Sequence, residues 1–241
     1  GFSADNEIRS DRNAANFGSS GTVSLCIMGW FKTNTISDYQ YIGSVFNQTS
    51  SNVLGIAINS SSSALPDNPH GTLYAFDNVT NQTSGTTVVN DDKWHHVVML
   101  AEGNSRQIYL DGRLEAENSF TSFAVDITAA NKVAIGHYAF NDTFPFLGSL
   151  SLVRFTESIP SPEQIKKIYD DEKYLYQDNG KATLYGSSSA VTALAYDETT
   201  DQLHVGTSSG RSDFQGLRRI NNTTTAVTTA ISAHDTLIIE Q

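Results

Sequence analysis

The stretch from Trp94 to Ala101 is apolar or aromatic at most positions, and it gives way after a short loop to strict alternation. Ile108 and Leu110 alternate with polar neighbours, and Leu114 and Ala116 resume the alternation beyond Asp111-Gly112. A period of two is that of a strand with one buried face. Asp-Gly best supplies the two positive-φ positions of a type I′ turn, so the pattern predicts a strand, a loop and a hairpin. In Val23–Lys32, Val23, Leu25, Ile27 and Phe31 fall on one face and Cys26, Met28 and Trp30 on the other, which predicts a strand buried on both sides in the middle of a sandwich. Further strands are predicted over Tyr39–Phe46, Val53–Asn59, Thr72–Phe76, Lys132–Tyr138 and Phe146–Phe155. Ser60–Gly71 reads as a loop, Asn78–Gly85 as a polar turn, Phe120–Ala130 as a long connection and Ala139–Phe146 as an aromatic loop. One helix is expected. Ser161-Pro162-Glu163-Gln164 forms a capping box with Pro at the first helical position, and Ile165, Ile168 and Tyr169 follow at helical spacing. Their stripe should lie on the sandwich and leave Lys166, Lys167 and Asp170–Glu172 in solvent.

A boundary is placed at Tyr174–Lys181, where the composition shifts, dividing the chain into a domain over residues 1–175 and a small β-rich tail over 182–241. In the tail, Ala190–Tyr196 and Gln202–Thr207 read as two strands split by Asp197–Asp201, the pattern of half a β-propeller blade, with a further apolar run at Leu237–Ile239. The sequence carries no evident second copy of the unit. A lone repeat cannot bury its faces, so the tail is expected to pair with the first domain, with another subunit or with further sequence.

The central stretch resembles a family. Asp91-x-x-Trp94-His95-His96-Val97, followed by a strand, a loop and Tyr109-Leu110-Asp111-Gly112, is similar to the laminin G-like and pentraxin-like jelly rolls of the concanavalin A-like lectin superfamily. Val23–Lys32 resembles the early strand of that family, Lys132–Gly136 its late strand and Phe146–Phe155 its closing strand, in matching order over residues 1–175. The resemblance implies an all-β, antiparallel jelly-roll sandwich with one short packing helix. It leaves function open, because this fold carries lectins, adhesion modules, virion fibre heads and appendages of enzymes. The tail, attached to a jelly roll, resembles C-terminal parts of phage structural proteins.

Many relatives hold calcium with rim carboxylates and carbonyls, and a common ligand is the Asp of Phe-x-Gly-x-Ile-Asp. Ser151 stands at that position here, and Phe2-Ser3-Ala4 replaces the Phe-Asp-Gly of the first strand, so the usual site is expected to be lost. Asp142, Asp77, or Asp67 with Asn68 could build another. Glycan binding needs an aromatic platform and planar polar side chains at a rim. His137, Tyr138, Phe140, Asn141, Asp142 and Phe144 offer one such set, and Tyr39, Gln40 and Tyr41 another. The competing reading is that these aromatics plug the sandwich ends or meet a neighbouring subunit.

Charge and missing motifs narrow the function. The net charge of -11 argues against nucleic acid or an anionic membrane as the main partner. No apolar run approaches the ~20 residues of a membrane-spanning helix. Neither a signal peptide nor an initiator Met opens the chain, which fits a processed product or a piece of a longer protein. Cys26 is the single cysteine, so no intrachain disulfide forms. His95 and His96 are strand neighbours facing opposite sides and cannot easily share a metal. The Glu-x-Asp-x-Glu strand of β-glucanases and the Gly-x-Ser-x-Gly elbow are both absent, and the acidic clusters fall in turns or at the helix end. The expectation is a non-catalytic, lectin-like fibre or surface component of a virion or cell that recognises a host or glycan and assembles through its tail as a homo-oligomer. A secreted lectin and a carbohydrate-binding module of a larger enzyme are the alternatives.

Overall fold

The structure, a computed structural model, describes residues 8–10 (backbone only), 23–35, 38–47, 51–60, 69–77, 81–120, 127, 132–177, 183–188 and 190–241. The chain divides into two compact units, Gly1–Tyr169 and Asp170–Gln241. In chain order the first contains β1 (Ile8–Ser10), β2 (Ser24–Lys32), β3 (Gln40–Asn47), β4 (Asn52–Ile58), β5 (Thr72–Asp77), β6 (Asn81–Val88), β7 (His95–Glu102), β8 (Ser105–Leu110), β9 (Arg113–Ser119), β10 (Lys132–Ile135), β11 (Ser149–Thr156) and most of the helix α1 (Pro162–Glu172). A six-stranded sheet in the order β1-β10-β3-β4-β5-β6 faces a five-stranded sheet in the order β11-β2-β7-β8-β9. All pairings are antiparallel, as a jelly-roll sandwich requires.

The inner faces interlock in one core that includes Leu25, Ile27 and Phe31 of β2, Leu54, Ile56 and Ile58 of β4, and Val97, Met99 and Ala101 of β7. The opposite face of β2 and β7 is apolar too, and α1 covers it. Ile165 and Ile168 pack there with Cys26, Met28, Val98, Leu100 and Tyr109, and Tyr169 stacks on Trp30 with ring centroids 5.7 Å apart. Burial pushes the Cys26 thiol up to about 12, so it is an unreactive core side chain. The expected capping box forms in both directions. Ser161 Oγ accepts from the Gln164 N–H at 3.3 Å, and Gln164 Oε1 accepts from the Ser161 N–H at 2.8 Å.

The β8–β9 turn has the expected positive dihedrals, with φ of 50° at Asp111 and 76° at Gly112. Asp111 also ties the turn to β7: its Oδ1 accepts from the His96 N–H at 2.9 Å and its Oδ2 meets His95 Nδ1 at 2.9 Å. His95 turns toward Phe31 and His96 toward Trp30, so the two rings occupy opposite faces of the sheet. One expected turn is instead a strand. Within Asn78–Gly85, residues from Asn81 onward enter β6 and pair with β5. The segment is rich in Thr, which suits an edge strand, and the Glu115 carboxylate of β9 accepts from the Thr86 and Thr87 N–H groups at 2.8 Å each. Most of Phe120–Ala130 lies outside the described residues.

In the second unit the two expected strands are half of a larger sheet. Strands β12 (Val191–Asp197), β13 (Gln202–Thr207), β14 (Gly210–Gln215) and β15 (Arg218–Asn222) form a complete four-stranded meander, and β16 (Ile231–His234) with β17 (Leu237–Glu240) forms a second hairpin. This hairpin has a shorter turn than the first, Asp235-Thr236 against Asp197–Asp201, and two strands against four. The hairpin lies over the face of the meander that carries Gly206, where a Cβ would come within 2.8 Å of Val227 and 3.0 Å of Ile231. Beside it is a satisfied buried network. Asp213 Oδ1 lies 2.7 Å from His204 Nδ1 and accepts from Arg211 Nε at 2.7 Å, and Asp213 Oδ2 accepts from Asn221 Nδ2 at 3.1 Å; Arg211 in turn pairs with Glu240 of the hairpin. The Asp197 carboxylate accepts from the Thr236 N–H at 3.0 Å and the Asp235 N–H at 3.3 Å, which fastens the second turn to the first repeat. These donors, the Thr236 N–H foremost, hold Asp197 well below the usual carboxylate range.

Burial alone would lower the pKa of His95, but hydrogen bonds and charge from Asp111 and Asp91 outweigh it and hold the pKa above 6.5. A raised folded-state pKa contributes stability that is complete below the unfolded value and is lost as pH rises through the folded one. Urea denaturation is therefore expected to show stability falling as the pH is raised from 6.5 through the folded His95 value, and His95→Gln should flatten that slope. An identical slope in the variant would show that the imidazolium does not hold the hairpin base.

Candidate functional site

Strands β3, β4 and β5 are buried along their whole length, so the outer face of the six-stranded sheet also needs a cover. That outer face carries Tyr41, Phe46, Val53, Ala57, Tyr74, Phe76 and Ala134. The cover is the aromatic loop after β10. Gly136, at φ of 81°, turns the chain back over the sheet. Ser44 Oγ on β3 then pins the loop, donating to the His137 carbonyl at 3.1 Å and accepting from the Ala139 N–H at 3.0 Å. The loop closes on itself through the Tyr138 N–H to the Thr143 carbonyl at 2.9 Å and the Asp142 N–H to the Tyr138 carbonyl at 3.0 Å. Asp142 and Phe144 sit at φ of 57° and 56°, left-handed conformations that persist only where the surroundings enforce them.

Ring packing enforces them here. Phe144 stacks on Tyr41 at 5.9 Å and meets Tyr39 edge-on at 5.7 Å. Tyr138 lies 4.8 Å from Tyr41, and Phe140 meets Phe46 edge-on at 5.2 Å. Beneath them Tyr41 contacts Phe76 at 5.0 Å, and the Tyr74 and Tyr41 hydroxyls are 3.3 Å apart. The five expected aromatics, Tyr39, Tyr41, Tyr138, Phe140 and Phe144, thus gather in one cluster. Tyr41 is buried within it, while Phe140 is 48% exposed at its edge. Burial raises the Tyr41, Tyr74 and Tyr138 hydroxyls above the ordinary tyrosine range, so they stay protonated.

The polar residues divide differently. Asn141 is exposed beside Phe140, and its carbonyl accepts from the Thr143 hydroxyl. His137 points into the protein at 1% exposure, with Nε2 3.4 Å from the Asp142 carboxylate. Lys132 Nζ lies 3.9 Å from the same carboxylate. Asp142 is the only carboxylate between Gly136 and Leu147, and it already faces these two basic groups. Asp77 stands elsewhere, buried at the end of β5 with Arg106 of the opposite sheet 3.9 Å away. Asp67 and Asn68 lie outside the described residues. Among the described residues, no three His, Cys, Asp or Glu side chains come together as a metal cage.

Phe46, Tyr74 and Phe76 were not expected in the site. Their signal was legible: Tyr74 and Phe76 are two apart on β5 and face away from Leu73 and Ala75, which belong to the inner core. The arrangement offers a flat apolar surface, neutral hydroxyls and an exposed amide at its rim. A second carboxylate for acid–base chemistry is missing from the loop.

Comparison with known proteins agrees with this architecture. Residues 3–166 match the family described as the concanavalin A-like lectin/glucanases superfamily. A curated relative, the rat (Rattus norvegicus) sushi, von Willebrand factor type A, EGF and pentraxin domain-containing protein 1, is 27% identical over 88 residues, which cover 33% of this chain and 2% of that protein. The chain therefore spans only a small fraction of the length of that relative. Among solved structures, a heptameric SAP-like pentraxin from Limulus polyphemus aligns with a TM-score of 0.51 and 16% identity, covering 68% of this chain and 75% of its own. A proposed carbohydrate-binding protein from Bacteroides ovatus aligns with a TM-score of 0.52 and 16% identity, covering 95% of this chain and 60% of its own. The two-sheet core, the Trp94–Gly112 hairpin and the match over residues 3–166 place this chain in the concanavalin A-like lectin/glucanase superfamily, as a laminin G-like jelly roll.

Proposed function

We propose that the jelly roll is a non-catalytic glycan-recognition head displayed at a virion or cell surface, and that the edge of the aromatic loop is its sugar contact. The observation that carries this reading is the half-exposed Phe140 beside exposed Asn141, set on a rigid aromatic bed. A pyranose ring stacks its C–H face on an aromatic side chain, and a neighbouring planar amide fixes its hydroxyls. Pre-organisation supports the reading, because packed rings and pinned backbone lose little freedom on binding. The absence of a second carboxylate in the loop argues for recognition over hydrolysis, which needs a positioned pair. The carbohydrate-binding description of the Bacteroides ovatus protein and the oligomeric state of the Limulus pentraxin point in the same direction. Attachment and assembly through the C-terminal unit complete the reading.

A glycan array followed by calorimetry on the best hit tests it. Phe140→Ala and Asn141→Ala are each expected to weaken binding by about 1–2 kcal/mol, roughly five- to thirty-fold, while leaving the melting temperature nearly unchanged. Tyr41→Ala, which empties the bed itself, should instead destabilise the fold by about 3–5 kcal/mol. Wild-type protein that binds no glycan on the array, or loop variants that bind as well as wild type, would defeat the assignment of the site.

Calcium is examined in the same titration. With Lys132 and His137 beside Asp142, sugar affinity is expected to be the same in excess calcium and in chelator. A loss of binding in chelator would relocate the contact to a carboxylate cluster.

A further inference from the structure

The second unit shows how its repeat stacks. Antiparallel partners share a face, so the register of the meander sorts its side chains into two sets. One face carries Ala193, Ala195, His204, Gly206, Arg211 and Asp213. This face is covered by the second hairpin, whose Ile231 is buried against it and whose Glu240 pairs with Arg211. The other face carries Leu194, Tyr196, Leu203, Val205, Ser212 and Phe214. Its far side is closed near Ser212, whose hydroxyl accepts from the Tyr185 N–H at 2.7 Å. Its near side is open: Leu194 is 61% exposed, Tyr196 54% and Leu203 39%.

The hairpin has the same two-sided character. In the β16–β17 register, Ile231 and Ala233 pair with Glu240 and Ile238, and this set faces the first repeat. Ser232 and His234 pair with Ile239 and Leu237, and this set faces outward, with Leu237 65% and Ile239 55% exposed. Counted back from the last pair before each turn, Asp197 with Gln202 and His234 with Leu237, Leu194 and Ile231 hold the same place, three residues earlier. Ile231 is therefore the second repeat's copy of exposed Leu194, and within this chain it is already buried on a preceding repeat. The first repeat presents the projecting half of that contact, exposed at Leu194, and the outward face of the second presents the half that receives it.

We propose that the open strip of Leu194, Tyr196 and Leu203 is an interaction surface for a second copy of this chain, which seats the outward face of its own β16–β17 hairpin, Leu237 and Ile239, on the strip. The contact repeats between copies the stacking that the chain makes within itself. It is head-to-tail, joining two different faces, so it builds a ring or an open stack rather than a closed two-fold dimer. This rests on the assembly part of the proposed function and gives that assembly a surface, a direction and a register; it is independent of the glycan contact.

Sedimentation velocity on the full chain over a concentration series tests it. Wild type is expected to associate with rising concentration. Leu194→Glu, on the projecting face, and Leu237→Glu, on the receiving face, should each weaken association at least about tenfold while keeping the wild-type melting temperature, since both side chains are exposed. The deciding step is to mix them. Each variant keeps one intact face, so the equimolar mixture should form a heterodimer and stop there, whereas a face-to-itself contact would not be restored by mixing. A wild type that stays monomeric throughout, or a mixture that stays monomeric, overturns the proposal; monomers that still bind glycan would overturn the stacking and spare the sugar site.

Discussion

A sheet has two faces, and in this protein apolar side chains stand on both faces of the strands that matter most. In β2 and β7 one set enters the sandwich core and the other meets α1. In β3, β4 and β5 one set enters the same core and the other lies under aromatic rings. A sandwich of two sheets covers only the inner faces, so each outer face needs its own lid. The five-stranded sheet uses a helix. The six-stranded sheet uses a loop, and a loop with apolar cargo on its underside must fix its backbone by other means. Ser44, the Tyr138–Thr143 bridge and the left-handed residues Asp142 and Phe144 do that fixing.

This requirement reconciles two readings of the aromatic loop that look opposed. Aromatics that plug a sheet and aromatics that bind a ligand are alternatives only if the same atoms must do both. Here the bed, Tyr41, Tyr74 and Phe76, is buried and structural, while Phe140 lies across its edge with one face open to solvent. Structural packing then supplies the pre-organisation that the proposed sugar contact needs. The basic residues behave in the same way: Lys132 and His137 flank Asp142 and fasten the loop, so the carboxylate that the sequence marks as a calcium ligand has structural partners.

How much of this was legible in the sequence follows from the range over which each signal acts. Hairpin turn, capping box and two-faced strands are written locally, in Asp111-Gly112, in Ser161–Gln164 and in the apolar positions of Val23–Lys32, and each is present in the structure. β6 was missed because its residues are polar and become a strand only through β5 and the Glu115 carboxylate of β9, which is 28 residues away from Thr87. In the site, the five loop and strand-end aromatics were legible from loop chemistry. The bed below was legible only in part: alternation sets Tyr74 and Phe76 on one face of β5, but their meeting with Tyr41 and Phe46 depends on β3, β4 and β5 aligning in register. In the C-terminal unit the sequence holds little local likeness between the two hairpins, because the second has two strands and a shorter turn; the correspondence of Leu194 with Ile231 comes from counting each register back from its turn.

The same accounting of faces distinguishes the C-terminal unit from the sandwich. Its meander is asymmetric by size. Small residues, Ala193, Ala195 and Gly206, line the face that the hairpin covers, and large ones, Leu194, Tyr196 and Leu203, line the face that is open. A small-residue face accepts projecting side chains, and Val227 and Ile231 fill it so closely that a Cβ at Gly206 would clash. A face of large residues needs a surface that receives it. Such an asymmetry gives stacking a direction, because one face of each repeat is shaped for the opposite face of the next. It also explains why the buried charges His204, Asp213 and Arg211 lie on the small-residue side: the covering hairpin supplies Glu240 there, and the network is complete only when a repeat is seated on it. Stacking and polar satisfaction are therefore one event in this unit, and the face that is open is the one that leaves no buried charge behind.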